Sequence, residues 1–174
     1  MLIAIFAFVN QSCKKPGCMD SNATNYLKSA TKDDGSCKYP ADNIKSTIVT
    51  LNTSNWLYGN PYYYATINWG EITQDIVDNG TVLVFMKGNS NNYWYALPFV
   101  WYINSSYSES LTYEYTTGSV EIDVYDSDLT ATAYIYPNPF KIVVISNAGR
   151  KEMEANHIDK NNYQQVKNFF NLTD

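Results

Sequence analysis

The side chains able to do chemistry are few and scattered. His157 is the only histidine and sits in the polar stretch 152–159. A histidine base needs a nucleophile within reach, and the chain has no G-x-S-x-G elbow. Zinc takes Cys and His ligands, so one histidine cannot make a usual catalytic set. There is no glycine-rich phosphate loop or dinucleotide fingerprint. Carboxylates remain. Glu121 and Asp123 are two apart on an expected strand and so share a face, with Glu71, Glu109 and Glu114 as further candidates for the acid pair of glycoside hydrolysis. The run Glu-Ile-Asp-Val equally marks a plain strand with polar residues out and apolar residues in. That reading is preferred: no catalytic residue is assigned, and the protein is expected not to be an enzyme.

Two other sets invite binding. Asp20, Asn22, Asn25, Asp33 and Asp34 are hard oxygen donors, the type that Ca²⁺ gathers in sets of about six to eight. Their spacing is not that of an EF-hand, and Asp, Asn and Gly also favour turns for backbone reasons. A calcium loop and an Asx-rich turn both stand, and calcium is the one cofactor considered. Trp56, Tyr58, Tyr62, Tyr63, Tyr64, Trp94, Tyr95, Trp101 and Tyr102 form a rich aromatic supply. Trp56, Tyr62, Tyr64, Trp94 and Trp101 are the candidate binding surface, since exposed rings stack on sugars or anchor protein partners. The alternative is cross-strand pairing that only stabilises a sheet.

Composition narrows the classes. Hydrophobic residues make up 45% and charged residues 17% of 174, which supports a packed core and not a disordered chain. Tyr outnumbers Phe 16 to 7, a bias toward sheet. The net charge is −5 and no Lys/Arg cluster exceeds a pair, which excludes the basic face that nucleic acid requires. Attachment to anionic lipid by charge alone is excluded for the same reason.

Residues 2–9 read LIAIFAFV. This run is too short to span a bilayer, which takes about 20 residues, but it suits the apolar region of a secretory signal peptide. An apolar run, then Ser12, then Cys13 resembles a lipobox, which implies cleavage before Cys13 and lipidation of that residue. Asn10 stands where a lipobox usually has Leu, and no Lys or Arg precedes the run. We therefore expect Met1 not to be the natural start and residues 1–12 to be a truncated signal peptide. Of the three cysteines, lipidation of Cys13 leaves Cys18 and Cys37 as one pair, in a compartment that permits disulfides.

Residues 17–40, GCMDSNATNYLKSATKDDGSCKYP, resemble the short GC-x-D-x-x-A-x-N-Y … A-x-x-D-D-G-S-C-x-Y module of exported bacterial proteins. Gly17, Cys18, Asp20, Ala23, Asn25, Tyr26, Ala30, Asp33, Asp34, Gly35, Ser36, Cys37 and Tyr39 carry the match. It implies an extracytoplasmic disulfide module and no activity.

The elements that must position the candidates follow from pattern. Strands are expected over 46–52, 61–69, 81–87, 93–103, 110–115, 120–125, 131–136 and 140–146, with Pro98 forcing a bulge or an edge and Thr116-Thr117-Gly118 a hairpin turn. Thr73 should cap a single helical turn through Asp78, stopped at Asn79-Gly80. Asp159 should cap a C-terminal helix over 160–170, its stripe of Tyr163, Val166, Phe169 and Phe170 packing on the sheet. The stretches Ile72–Phe85 and Phe140–Ile145, with Asn162–Lys167, resemble pieces that recur together in exported bacterial domains. The expectation is a mainly β protein: an antiparallel β-sandwich or open barrel of about 7–8 strands with a short C-terminal helix, over 41–174, behind a disulfide-clipped stalk over 13–40. In function it is a lipid-anchored cell-envelope protein, at the outer membrane, with a non-enzymatic binding or scaffolding role. The membrane is reached through the lipid, and partners are envelope proteins or glycans. A carbohydrate-binding or glycan-processing protein and a calcium-dependent adhesion module are the alternatives.

Overall fold

The computed structural model describes residues 14–21, 23, 25–38, 43–89, 91–130 and 137–173. The leader 1–12, Cys13, Asn22, Tyr39 and the expected strand 131–136 lie outside the described residues. The chain divides into two compact units, 1–40 and 41–174.

In the first unit β1 (Pro16–Gly17) and β2 (Lys32–Asp33) form a parallel bridge. Little here is apolar enough to bury; Cys18 and Ala23 are the buried hydrophobic residues among those described. Cys18 and Cys37 are bonded, with S–S 2.08 Å. The polar side chains are spent on the backbone. Asn25 donates to the Ser36 carbonyl (2.5 Å) and accepts from the Lys38 amide (2.6 Å). Asp33 accepts from the Gly35 amide and Asp34 from the Ser36 amide.

The second unit packs two antiparallel sheets face to face. β3 (Ile44–Leu51), β6 (Thr81–Lys87), β7 (Trp94–Ala96) and β11 (Asn138–Ile145) form a four-stranded sheet in the order β3-β11-β6-β7. β4 (Leu57–Tyr58), β5 (Tyr63–Asn68), β8 (Phe99–Tyr102), β9 (Ser108–Thr116) and β10 (Ser119–Asp126) form a five-stranded sheet in the order β4-β5-β10-β9-β8. The result is a β-sandwich. Val82, Val84 and Met86 of β6 and Phe140, Ile142 and Val144 of β11 meet Ala65, Ile67, Leu111, Val120, Ile122 and Val124 of the opposing sheet. Burying each of these side chains larger than alanine stabilises the fold by roughly 1.5–3 kcal/mol. The Tyr113 hydroxyl crosses the interior to donate to the Val82 carbonyl at 2.9 Å.

The alternate residues of β6 and β11 are buried as well. Leu83, Phe85, Val143 and Ile145 pack under Met153 of α2 (Asn147–Ala155) and Tyr163 and Val166 of α3 (Tyr163–Phe170). Strands buried on both faces read as continuous apolar runs, as TVLVFMK of β6 does. The short helix α1 (Gln74–Asn79) is capped by Thr73, whose hydroxyl accepts from the Ile76 amide. It ends at Gly80, where a Cβ would fall 2.5 Å from the Ile145 carbonyl oxygen. The β9–β10 hairpin turns through Gly118 at φ +86°, a conformation that favours glycine.

Several boundaries differ from expectation. The stretch 93–103 is two strands, not one: β7 edges the four-stranded sheet and β8 the five-stranded sheet. Leu97-Pro98 is the crossing point, and proline, which cannot donate to a ladder, sits between them. With the two-residue β4 this raises the two sheets to nine strands among the described residues. The C-terminal helix begins at Tyr163 and is capped by Asn162, whose side chain accepts from the Gln165 amide; Asp159 instead accepts from the Asn161 amide in the preceding turn. The polar stretch 152–159, for which no helix was expected, is partly α2, capped by Ser146.

The first unit holds together through its clip, which closes a loop with a sequence separation of 19, worth about 3 kcal/mol in the chain-entropy model. Reduction should therefore expose the Leu27 and Thr31 amides, which donate to the Cys18 and Lys15 carbonyls. Hydrogen exchange checks this: faster exchange at both is expected, and unchanged protection would show that the turns stand without the bond.

Candidate functional site

Among the described residues, α2 and α3 cover the outer face of the four-stranded sheet, and no helix lies over the outer face of the five-stranded one. On the five-stranded sheet the outward positions follow from the ladder. Thr112, Asp123, Tyr64 and Leu57 form one row across β9, β10, β5 and β4. Glu114, Glu121 and Thr66 form the next. On the other side Val100, Ser110 and Tyr125 line up, and Tyr62 stacks on Tyr125 with centroids 4.8 Å apart. Tyr62 also leans on Tyr64, with centroids 6.0 Å apart. Leu57, Val100 and Tyr102 are exposed at the edges.

Asp123 lies at the centre of this face. It is 8% exposed although it points away from the core, because the tyrosine layer screens it. Its Oδ1 is buried with no hydrogen-bond partner. Burial, and then the charges of Glu121 and Glu114, push its carboxyl up to about 6. Glu121 faces Glu114 directly across the ladder, an arrangement that like charges disfavour. The Thr66 hydroxyl donates to Glu121 at 2.9 Å. Burial and the Asp123 charge raise the hydroxyls of Tyr62 and Tyr125, which keeps them neutral.

The sequence candidates therefore scatter. Glu121, Asp123 and Glu114 come together; Glu109 turns to the inner face of the same sheet, opposite Asp126. There burial, and then Asp126, push it up to about 7. Glu71 is exposed in the turn before α1. His157 sits exposed past the end of α2 with φ +55°. Of the five proposed surface aromatics, only Tyr62 and Tyr64 lie on the uncovered face. Trp56 is buried, edge-on to Phe140 at 6.4 Å, and Trp101 packs against the core beside Phe99. Trp101 belongs to the interior because its position on β8 alternates inward, opposite Glu109; Trp56 is turned in from the bend just before β4. Trp94 lies under α3, its ring 5.4 Å from Tyr163. Asn25, Asp33 and Asp34 hold backbone amides as described, and hydrogen bonds from Ser36 lower the Asp34 carboxyl. Among the described residues no group of three His, Cys, Asp or Glu is placed to hold a metal ion.

Sequence reasoning missed Tyr125 and Lys141. Tyr125 was readable as an outward position two residues past Asp123. Lys141 is 1% exposed in the middle of β11. Its ammonium donates to the Tyr163 hydroxyl at 3.0 Å and to the Thr173 carbonyl, and it lies 5.7 Å over the Trp94 ring. Beside it, Tyr93, Trp94, Asn92, Asn162 and Lys167 line a groove of about 410 Å³.

Glu109 and Asp123 both hold their protons more tightly when folded. Their contribution is thus full at acid pH and is lost as pH rises, between the ordinary 4.5 and about 7 for Glu109 and between 3.8 and about 6 for Asp123. Melting temperature should fall from pH 5 to pH 8. Glu109→Gln should flatten the profile and stabilise the protein at pH 8 by on the order of 1 kcal/mol, once solvent screening is allowed for. A variant profile parallel to the parent's would show that Glu109 is not the titrating group. No family model, no curated protein and no solved structure matches this chain.

Proposed function

We propose that this chain is a lipid-anchored cell-envelope protein whose β-sandwich is a non-enzymatic binding module. Its binding surface is the uncovered face of the five-stranded sheet. The observation that carries this is the side chain of Asp123, buried beside tyrosines on a face that no helix covers among the described residues, with an oxygen that has no partner. Burying a polar group without a hydrogen bond costs free energy, and a ligand that supplies a donor recovers it. The same residues do not make a hydrolase cleft: they lie on a sheet face, and the groove beside Trp94 has no carboxylate in its lining. The Cys18–Cys37 bond supports an address outside the cytoplasm and leaves Cys13 for the lipid.

A glycan-binding reading draws on that groove. Side-chain amides of Asn92, Asn161, Asn162 and Gln164 surround the rings of Tyr93 and Trp94, and such a mixture suits hydroxyl groups and sugar faces.

Intact mass spectrometry of protein purified from bacterial membranes, before and after reduction, tests the address. The expected result is loss of residues 1–12, added acyl mass on Cys13, and a gain of about 2 Da on reduction. An uncleaved chain with three free thiols would contradict the anchor and the compartment together.

A further inference from the structure

We propose that the uncovered face receives a lysine or arginine side chain from a basic segment of a protein partner, seated over Asp123 among Tyr62, Tyr64 and Tyr125. This rests on the reading of that face as the binding surface and names the chemistry of what binds there. Charge is the first argument. Glu114, Glu121 and Asp123 are adjacent by strand register, and no ion pair joins any of them to a Lys or Arg among the described residues. The face therefore carries uncompensated negative charge. Asp123 adds an independent reason: its Oδ1 is buried without a hydrogen-bond partner, and its register puts it on the outward side of the sheet with Glu121.

The surroundings select the kind of donor. The stacked Tyr62–Tyr125 pair and the tilted Tyr64 ring present π faces that attract an organic cation, and they offer apolar surface to the aliphatic stem behind its charge. A bare divalent ion would want several oxygens converging on one point, and no three carboxylates do so among the described residues. A neutral sugar would bury the same three charges and neutralise none. Exposed Leu57, Val100 and Tyr102 on the same sheet give a protein partner apolar contacts at the edges, so a protein segment fits the face better than a free amine.

The test titrates the full chain with a capped oligolysine peptide, following the tyrosine ring signals by NMR. The comparison probes are a chitin oligosaccharide and calcium chloride. The expected result is oligolysine binding that moves the Tyr62 and Tyr125 rings, weakens with added salt, and weakens as pH falls through about 6, where Asp123 takes up a proton. Asp123→Asn keeps the shape and relieves repulsion, so it should fold. It should lower affinity by about tenfold or more and remove the pH step. Tyr64→Ala should weaken binding without removing that step. Glu71→Gln, which changes the same net charge elsewhere, should leave affinity unchanged. Equal losses in Asp123→Asn and Glu71→Gln would reduce the effect to general charge attraction and overturn the proposal. Sugar binding at these rings without oligolysine binding would overturn the cationic ligand and keep the face as a binding surface. A calcium response that Asp123→Asn abolishes would replace the organic cation by a metal. No shift of these rings with any probe would overturn both the ligand and the face.

Discussion

Everything else in the sandwich follows from the double burial of β6 and β11. Val82, Val84, Phe140 and Ile142 fill the space between the sheets, while Leu83, Phe85, Val143 and Ile145 need a second cover. Only the helices can supply it, so α2 and α3 are committed to the four-stranded sheet. Among the described residues the five-stranded sheet is left with one packed face and one open face. Inward it places Ala65, Ile67, Leu111, Val120, Ile122 and Val124 together with the rings of Tyr63, Phe99, Trp101, Tyr113 and Tyr115; outward it places Tyr64, Thr66, Glu114, Glu121 and Asp123. The open face is thus a consequence of how the apolar residues are shared between the two sheets, and the tyrosine layer limits the exposed apolar area there.

Two of the buried polar side chains, Lys141 and Asp123, pose opposite problems. Lys141 is a cation inside the helix-covered layer, and the chain answers it from within, through the Tyr163 hydroxyl, the Thr173 carbonyl and two ring faces. Asp123 is an anion under the tyrosines, and its Oδ1 has no such answer. The contrast separates structure from recognition. A buried charge satisfied by its own fold positions the C-terminal residues, whereas one left open makes the fold receptive to something else.

Much of the fold was legible because burial leaves a rhythm. TVLVFMK and FKIVVI read as strands, and Glu-Ile-Asp-Val correctly separated an inner from an outer face. Thr73 and Gly118 were readable from local backbone chemistry. The misses have physical causes. Residues 93–103 form an apolar run broken only by Pro98, which reads as a bulge or an edge, and nothing local says that the chain passes there from one sheet to the other. Helix α2 presents mostly Arg150, Lys151, Glu152 and Glu154, with only Gly149 and Met153 buried, so its amphipathic signal is thin. The site was half visible. Glu121 and Asp123 were paired from spacing alone, but the register of β5 against β10 sets Tyr64 beside Asp123 and brings Tyr62 onto Tyr125. Trp56 and Trp101 misled because aromatic residues serve cores and surfaces alike.

The most direct measurement is hydroxyl-radical footprinting of the protein in native membranes against the same protein purified in detergent. An occupied open face should show Tyr62, Tyr64 and Tyr125 protected in membranes and reactive when purified, with Tyr93 in the groove equally reactive in both. Protection confined to Tyr93 and Trp94, or no difference at the three tyrosines, would contradict the assignment of the open face as the surface through which this protein works.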